Sequence, residues 1–94
     1  MTFVEFKNSL SAPGPSPDWS VYLQSLWYDA KDDWEKAHTL IQDVPGDTAS
    51  WIHAYLHRKE GDIWNADYWY KRASQKRPSL SLEDEWEQIV LGLL

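Results

Sequence analysis

Residues 30–41, AKDDWEKAHTLI, and residues 59–70, KEGDIWNADYWY, align without a gap at an offset of 29. Trp34 falls on Ile63, Ala37 on Ala66 and Ile41 on Tyr70. A bulky, a small and a bulky side chain therefore recur at spacings of three and four, which is the period of one face of an α-helix. Two helices approach closely only where a small residue stands between larger ones, so Ala37 and Ala66 are the expected contact points of two successive helical hairpins.

Each copy opens on a reversal. Asp32-Asp33 precedes a helix expected from Trp34 to about Asp43, and Gly61-Asp62 precedes one carrying Ile63, Ala66, Tyr70 and Ala73. Val44-Pro45-Gly46 ends the first of these, and Asp47 reads as the N-cap of a helix through Trp51, Ile52, Tyr55 and Leu56. Upstream, Ser16-Pro17-Asp18 reads as the start of a helix reaching about Lys31. Downstream, Pro78 closes the Ile63 helix beyond a basic tail of Lys71, Arg72, Lys76 and Arg77. Ser81 with Asp84 suggests a capping box for a last helix bearing Trp86, Ile89, Val90, Leu93 and Leu94 on one side. Residues 1–17 stand apart as an N-terminal segment and Pro-rich linker, with Phe3, Val4, Phe6 and Leu10 available to dock on a helical domain of residues 18–94. No strand signal interrupts this pattern.

The second copy resembles the tetratricopeptide repeat (TPR), whose second helix carries an alanine, an aromatic residue four positions later and a proline after the helix. Here these are Ala66, Tyr70 and Pro78, entered through Glu60-Gly61-Asp62. The likeness spans residues 20–78. The first copy departs from it: Asp32 stands where the motif prefers glycine, Ala37 is followed by Ile41, and the offset of 29 is shorter than the usual repeat of about 34. The segments LWYDAKDDWEKAH and WIHAYLHRKEGD are also similar to those of short stand-alone bacterial TPR-like proteins, a resemblance that implies a fold and no activity. The implied architecture is all-α: a TPR-like right-handed stack of two antiparallel helical hairpins plus a C-terminal capping helix.

Composition narrows function. Seven Trp, five Tyr and two Phe in 94 residues supply the large side chains that a small core needs, since each buried aromatic removes roughly 150–250 Å² from water. A net charge of −6, with neither sign gathered into a block, argues against a nucleic-acid partner. Cysteine is absent, so neither disulfides nor a thiolate metal site are available. No apolar run approaches a membrane span and no signal peptide opens the chain, so a cytoplasmic location is expected. No phosphate loop, nucleophile elbow or Ser-His-acid set is apparent, and no enzymatic activity is assigned. Acid groups such as Glu83, Asp84 and Glu85 read as helix-dipole partners, and Lys31, Lys36, Lys59 and Lys71 as solvated surface.

The TPR resemblance implies that the first helix of each hairpin lines a groove. That register places Tyr22, Leu26 and Asp29 on one helix and Trp51, Tyr55 and Arg58 on the other as a groove for a peptide or protein partner, aromatics and Arg being the residues that dominate binding hot spots. Closure by residues 1–16, or by the last helix with Arg58 paired to an acid, is the competing arrangement. A second function class is a binder of an anionic metabolite or a metal using Arg58 with His53, His57 and Glu60, the histidines being one helical turn apart. A buried histidine pair hydrogen-bonded to Asp67, Tyr70 or a carbonyl accounts for the same spacing, and neither cofactor nor metal is assigned. Trp64, Tyr68 and Trp69 exceed what one packed stripe needs and suggest a homodimer through that helix, with the C-terminal helix as the other candidate contact.

Overall fold

The repeat is legible in the helix ends. In a computed structural model describing residues 1–94, Asp32 and Gly61 occupy the same left-handed position with φ of 62° and 87°. The following amides, of Asp33 and Asp62, donate back to the carbonyls of Tyr28 and His57 at 2.9 and 3.0 Å. This six-to-one bond is the Schellman stop. Aspartate tolerates the left-handed region better than most side chains, so Asp32 performs the turn that Gly61 makes in the second copy. Asp33 and Asp62 then cap the next helices, their side chains accepting from Lys36 N and Asn65 N. Ser74, at φ 59°, ends a third helix in the same way.

The chain is all-helical, with six α-helices and no strand: α1 (Phe3–Asn8), α2 (Val21–Ala30), α3 (Trp34–Ile41), α4 (Asp47–Lys59), α5 (Ile63–Arg72) and α6 (Leu82–Leu93), with a 3₁₀ turn at Ser9–Ser11. None is long and apolar enough to cross a membrane. α2 pairs with α3 and α4 with α5 across three-residue reversals. Ala37 and Ala66 are both fully buried. Their hairpin partners are also small: Ser25 donates to the Ala37 carbonyl at 2.8 Å, and Ala54 shares a buried cluster with Ala66 and Tyr70. Ser25 and Ala54 are themselves 29 residues apart, so the close contact is built from both sides.

Several helix ends differ from expectation, among them α3, which stops at Ile41 rather than about Asp43. α2 begins at Val21 under a Ser20 cap rather than at Ser16-Pro17, because Trp19 turns aside to pack on Phe6, ring centroids 5.3 Å apart. Gly46, not Asp47, is the N-cap of α4, and Asp47 contributes its charge in the first turn instead. α5 stops at Arg72, so Lys76 and Arg77 lie beyond the helix rather than along its last turn. At the start of α6 only the forward half of the box forms, Ser81 Oγ accepting from Asp84 N at 3.1 Å.

The largest difference is where α6 lies: it packs on α2 and α4. Trp86, Ile89 and Val90 join Leu23, Leu26, Ile52 and Tyr55 in one core. α1, held by a Thr2–Glu5 capping box, contributes the fully buried Phe6 to that core. Trp27 Nε1 and Lys31 Nζ donate to the carbonyls of Ser9 and Leu10, which fixes the N-terminal segment to α2; Lys31 is therefore a tether as well as a surface residue.

Candidate functional site

The six residues expected to line a groove do converge on the α2/α4 face, but that face is occupied. Leu26, Asp29 and Tyr55 are buried, while Tyr22, Trp51 and Arg58 are half-buried. The reason is Glu85. Its carboxylate is fully buried and accepts from Arg58 Nη1 at 2.8 Å, Trp51 Nε1 at 3.1 Å and the Tyr70 hydroxyl at 2.6 and 2.8 Å. Arg58 Nη2 donates to the Leu80 carbonyl. A buried carboxylate is tolerable only with such partners. The sequence placed Glu85 with Glu83 and Asp84 as a dipole acid; the missed signal is its position one turn before Ile89, at the margin of the apolar stripe.

Asp29 has the same character. It accepts from the Tyr55 hydroxyl at 2.8 Å and from Lys59 Nζ at 2.9 Å, which removes Lys59 from the solvated set. Burial, followed by the charge and hydrogen bond of Asp29, raises the Tyr55 pKa, and burial followed by the Glu85 hydrogen bond raises that of Tyr70. Both phenols stay protonated and donate.

A cavity of about 330 Å³ remains between the N-terminal segment, α2, α4 and the start of α6. Lys7 and Lys59 face Asp29, Glu83, Asp84 and Glu87 in its lining, to which Arg58, His53 and His57 do not contribute. Its lining holds more acids than bases, and Arg58 is committed to Glu85 and the Leu80 carbonyl rather than to the histidines.

On the other side of α4, His53 and His57 meet a residue that the sequence did not single out. His38, from α3, places Nε2 3.0 Å from His53 Nε2. Ring centroids are 4.8 Å apart for His38–His53 and for His53–His57, and 5.2 Å for His38–His57. All three histidines of the chain thus share one cluster. Trp34 stacks on His38 at 4.8 Å and Trp69 on His53 at 4.0 Å. His57 Nδ1 lies 2.6 Å from Glu60 Oε1. The expected partners of the pair, Asp67 or Tyr70, are replaced by His38 and Glu60.

Burial lowers the His53 pKa from 6.5 to about 4, with the charges of His38 and His57 adding to it; burial, then His57, also lowers His38. The unfolded chain therefore takes up protons at a higher pH than the folded one. The stability contributed by neutral His53 is present well above pH 6.5 and declines as pH falls toward 4, by at most about 1.4 kcal/mol per unit in that window. In buffer with chelator, the melting temperature at pH 5.0 is expected to lie about 10 °C below that at pH 7.5, and a His53→Gln variant to lose most of that slope. Equal melting temperatures in wild type would contradict this.

The outward face of α5 is bare by comparison. Trp64 is 82% exposed, Tyr68 47% and Ile63 36%. Trp69, grouped with them from the sequence, faces His53 instead. Arg72 lies 5.8 Å from the Tyr68 ring centroid and 5.3 Å from that of Trp69, and Arg77 pairs with Asp67 at 3.0 Å. On α6, Trp86 is buried and only Leu91 and Leu94 among its apolar residues are strongly exposed. No protein-family model, curated protein or solved structure matches the chain.

Proposed function

We propose that the protein is a non-enzymatic, TPR-like interaction module whose contact surface is the outer face of α5 rather than the α2/α4 groove. The TPR-like reading is supported by the paired stops at Asp32 and Gly61, the paired caps at Asp33 and Asp62, and the small contact residues Ala37 and Ala66. The observation that carries the functional reading is Trp64. Of seven tryptophans it alone is exposed; the rest are buried or half-buried. In a repeat array this is the side on which a further hairpin would pack. An exposed Trp–Tyr–Arg row has the composition of an interface hot spot.

Charge gives the partner's chemistry. Residues 71–77 carry Lys71, Arg72, Lys76 and Arg77 and no acid, in a chain whose net charge is −6. Lys71, Lys76 and Arg77 line a shallow depression together with Asp67, to which Arg77 is paired, leaving the two lysines as its net charge. The surface suits a protein segment that offers an apolar anchor flanked by acidic residues, and charge complementarity speeds and orients such docking.

Screening arrays of acidic amphipathic peptides, with charge-reversed counterparts as controls, tests the reading. Binding is expected to favour the acidic set, to disappear in Trp64→Ala and to weaken in Lys71→Glu/Arg72→Glu. Because Trp64 is exposed, its replacement changes stability by no more than about 0.5 kcal/mol. Undiminished peptide binding by Trp64→Ala would exclude this face. Sedimentation at micromolar concentration separates a second copy of the chain from a foreign partner as the occupant.

A further inference from the structure

We propose that His38, His53 and His57 form a binding site for one divalent first-row transition ion, Zn²⁺ being the reference, with Glu60 as the carboxylate that orients His57. The inference does not rest on the outer α5 face; the site lies between α3 and α4, with Trp69 of α5 as one of its walls.

The ligand atoms are already gathered. One ring nitrogen from each histidine lies within 4.8 Å of the others, and the His38–His53 pair is at 3.0 Å. Two imidazole nitrogens ligating one tetrahedral ion at about 2.0–2.1 Å stand about 3.3 Å apart. An ion therefore takes the place of the single proton shared between His38 and His53 with little change in their separation. Drawing in His57 needs side-chain movement on the order of 1 Å. Backbone rearrangement is unnecessary, because His53 and His57 sit one turn apart on α4 and His38 faces them from α3.

The surroundings also fit a cation. The 2.6 Å contact between His57 Nδ1 and Glu60 Oε1 fits an Nδ1–H donating to the carboxylate, the tautomer that leaves Nε2 with its lone pair. This carboxylate–imidazole arrangement is the usual support of a metal-bound histidine. Glu35 and Glu60 act on the charge at His38, and Asp62 groups with His57 and Glu60, so three carboxylates offset the ion's charge. His57 stands in the last turn of α4, at the negative end of that helix. Trp34 and Trp69 form flat apolar walls against His38 and His53, which restrict water and hold the rings. Imidazole without thiolate selects zinc, copper(II), nickel or cobalt over softer or harder ions. Three protein ligands leave a fourth position for water or an exogenous donor.

The test is calorimetric titration of ZnCl₂ into chelator-stripped protein, with Co²⁺ absorption as a second readout. One ion per chain is expected. At a hundredfold excess over Kd the melting temperature rises by about 10–20 °C. Glu60→Gln, whose side chain is 37% exposed and whose fold is verified by circular dichroism, weakens binding about 10–100-fold. His38→Gln weakens it further, with loss of the visible cobalt bands. Absence of saturable binding at micromolar zinc would overturn the site, as would equal affinities in wild type, Glu60→Gln and His38→Gln. If His38→Gln does not fold, the Glu60→Gln affinity decides alone.

Discussion

Replacing Glu85 with alanine lowers the unfolding free energy by about 3–5 kcal/mol, the cost of leaving a buried charge without its partner. Three groups, Arg58, Trp51 and Tyr70, lose their acceptor at once, and the guanidinium held between Glu85 and the Leu80 carbonyl is freed on one side. Arg58 is only 16% exposed, so water replaces the carboxylate poorly. For a domain of this size the loss corresponds to a fall in melting temperature of more than ten degrees. Glu85→Gln, which keeps one acceptor oxygen and the side-chain shape, costs less. In a double-mutant cycle, adding Arg58→Ala to Glu85→Ala costs much less than Arg58→Ala alone, because the pair's penalty has already been incurred. Additive losses would mean that the network does not act as a unit.

Trp86→Ala has an effect of similar size for a different reason. The Trp86 ring contacts Phe3 and Phe6 at centroid distances of 5.9 and 5.8 Å, and its Nε1 donates to the Leu26 carbonyl at 3.0 Å. Truncating a buried tryptophan costs about 3–5 kcal/mol through lost transfer energy and the cavity left behind. Here the cavity separates three elements, so α1 loses its seat on the core. The expected signatures are a lower urea midpoint, a weakened near-ultraviolet signal and faster proteolysis within residues 11–17. Trp86→Phe keeps one aromatic ring but loses the rest of the indole and its hydrogen bond, and so costs less than the alanine change while still leaving a smaller cavity. Unchanged proteolysis in Trp86→Ala would show that α1 is held without this ring.

What the sequence disclosed was local. Asp33 and Asp62 announce their helices because capping links residues only three apart, and Ala37 and Ala66 announce their contact because the repeat brings both to one register. What it concealed was long-range. Glu85 meets Arg58 across 27 residues, and His38 meets His53 across 15, on different hairpins. An acid at a helix start has a sufficient local reason to be there, so Glu85 gave no sign of burial. His38 lies off the spacing that marked His53 and His57, and only the packing of α3 on α4 brings it in. The filled groove was the competing arrangement, closure by the last helix with Arg58 paired to an acid; which acid, and that it would be fully buried, the sequence did not say.

The seat of α6 changes how the molecule comes apart. In a simple solenoid each unit touches only its neighbours, and the array frays from either end. Here Trp86 bridges Phe6 and Leu26, residues 80 and 60 positions away, so the earliest and latest helices close over both hairpins like a clasp. Neither hairpin can be excised, and α6 cannot be peeled away, without opening the shared centre. The chain is thus expected to melt in one step, while the outer face of α5, where Trp64 and Tyr68 stand clear of the core, remains the side where growth or docking costs the interior nothing.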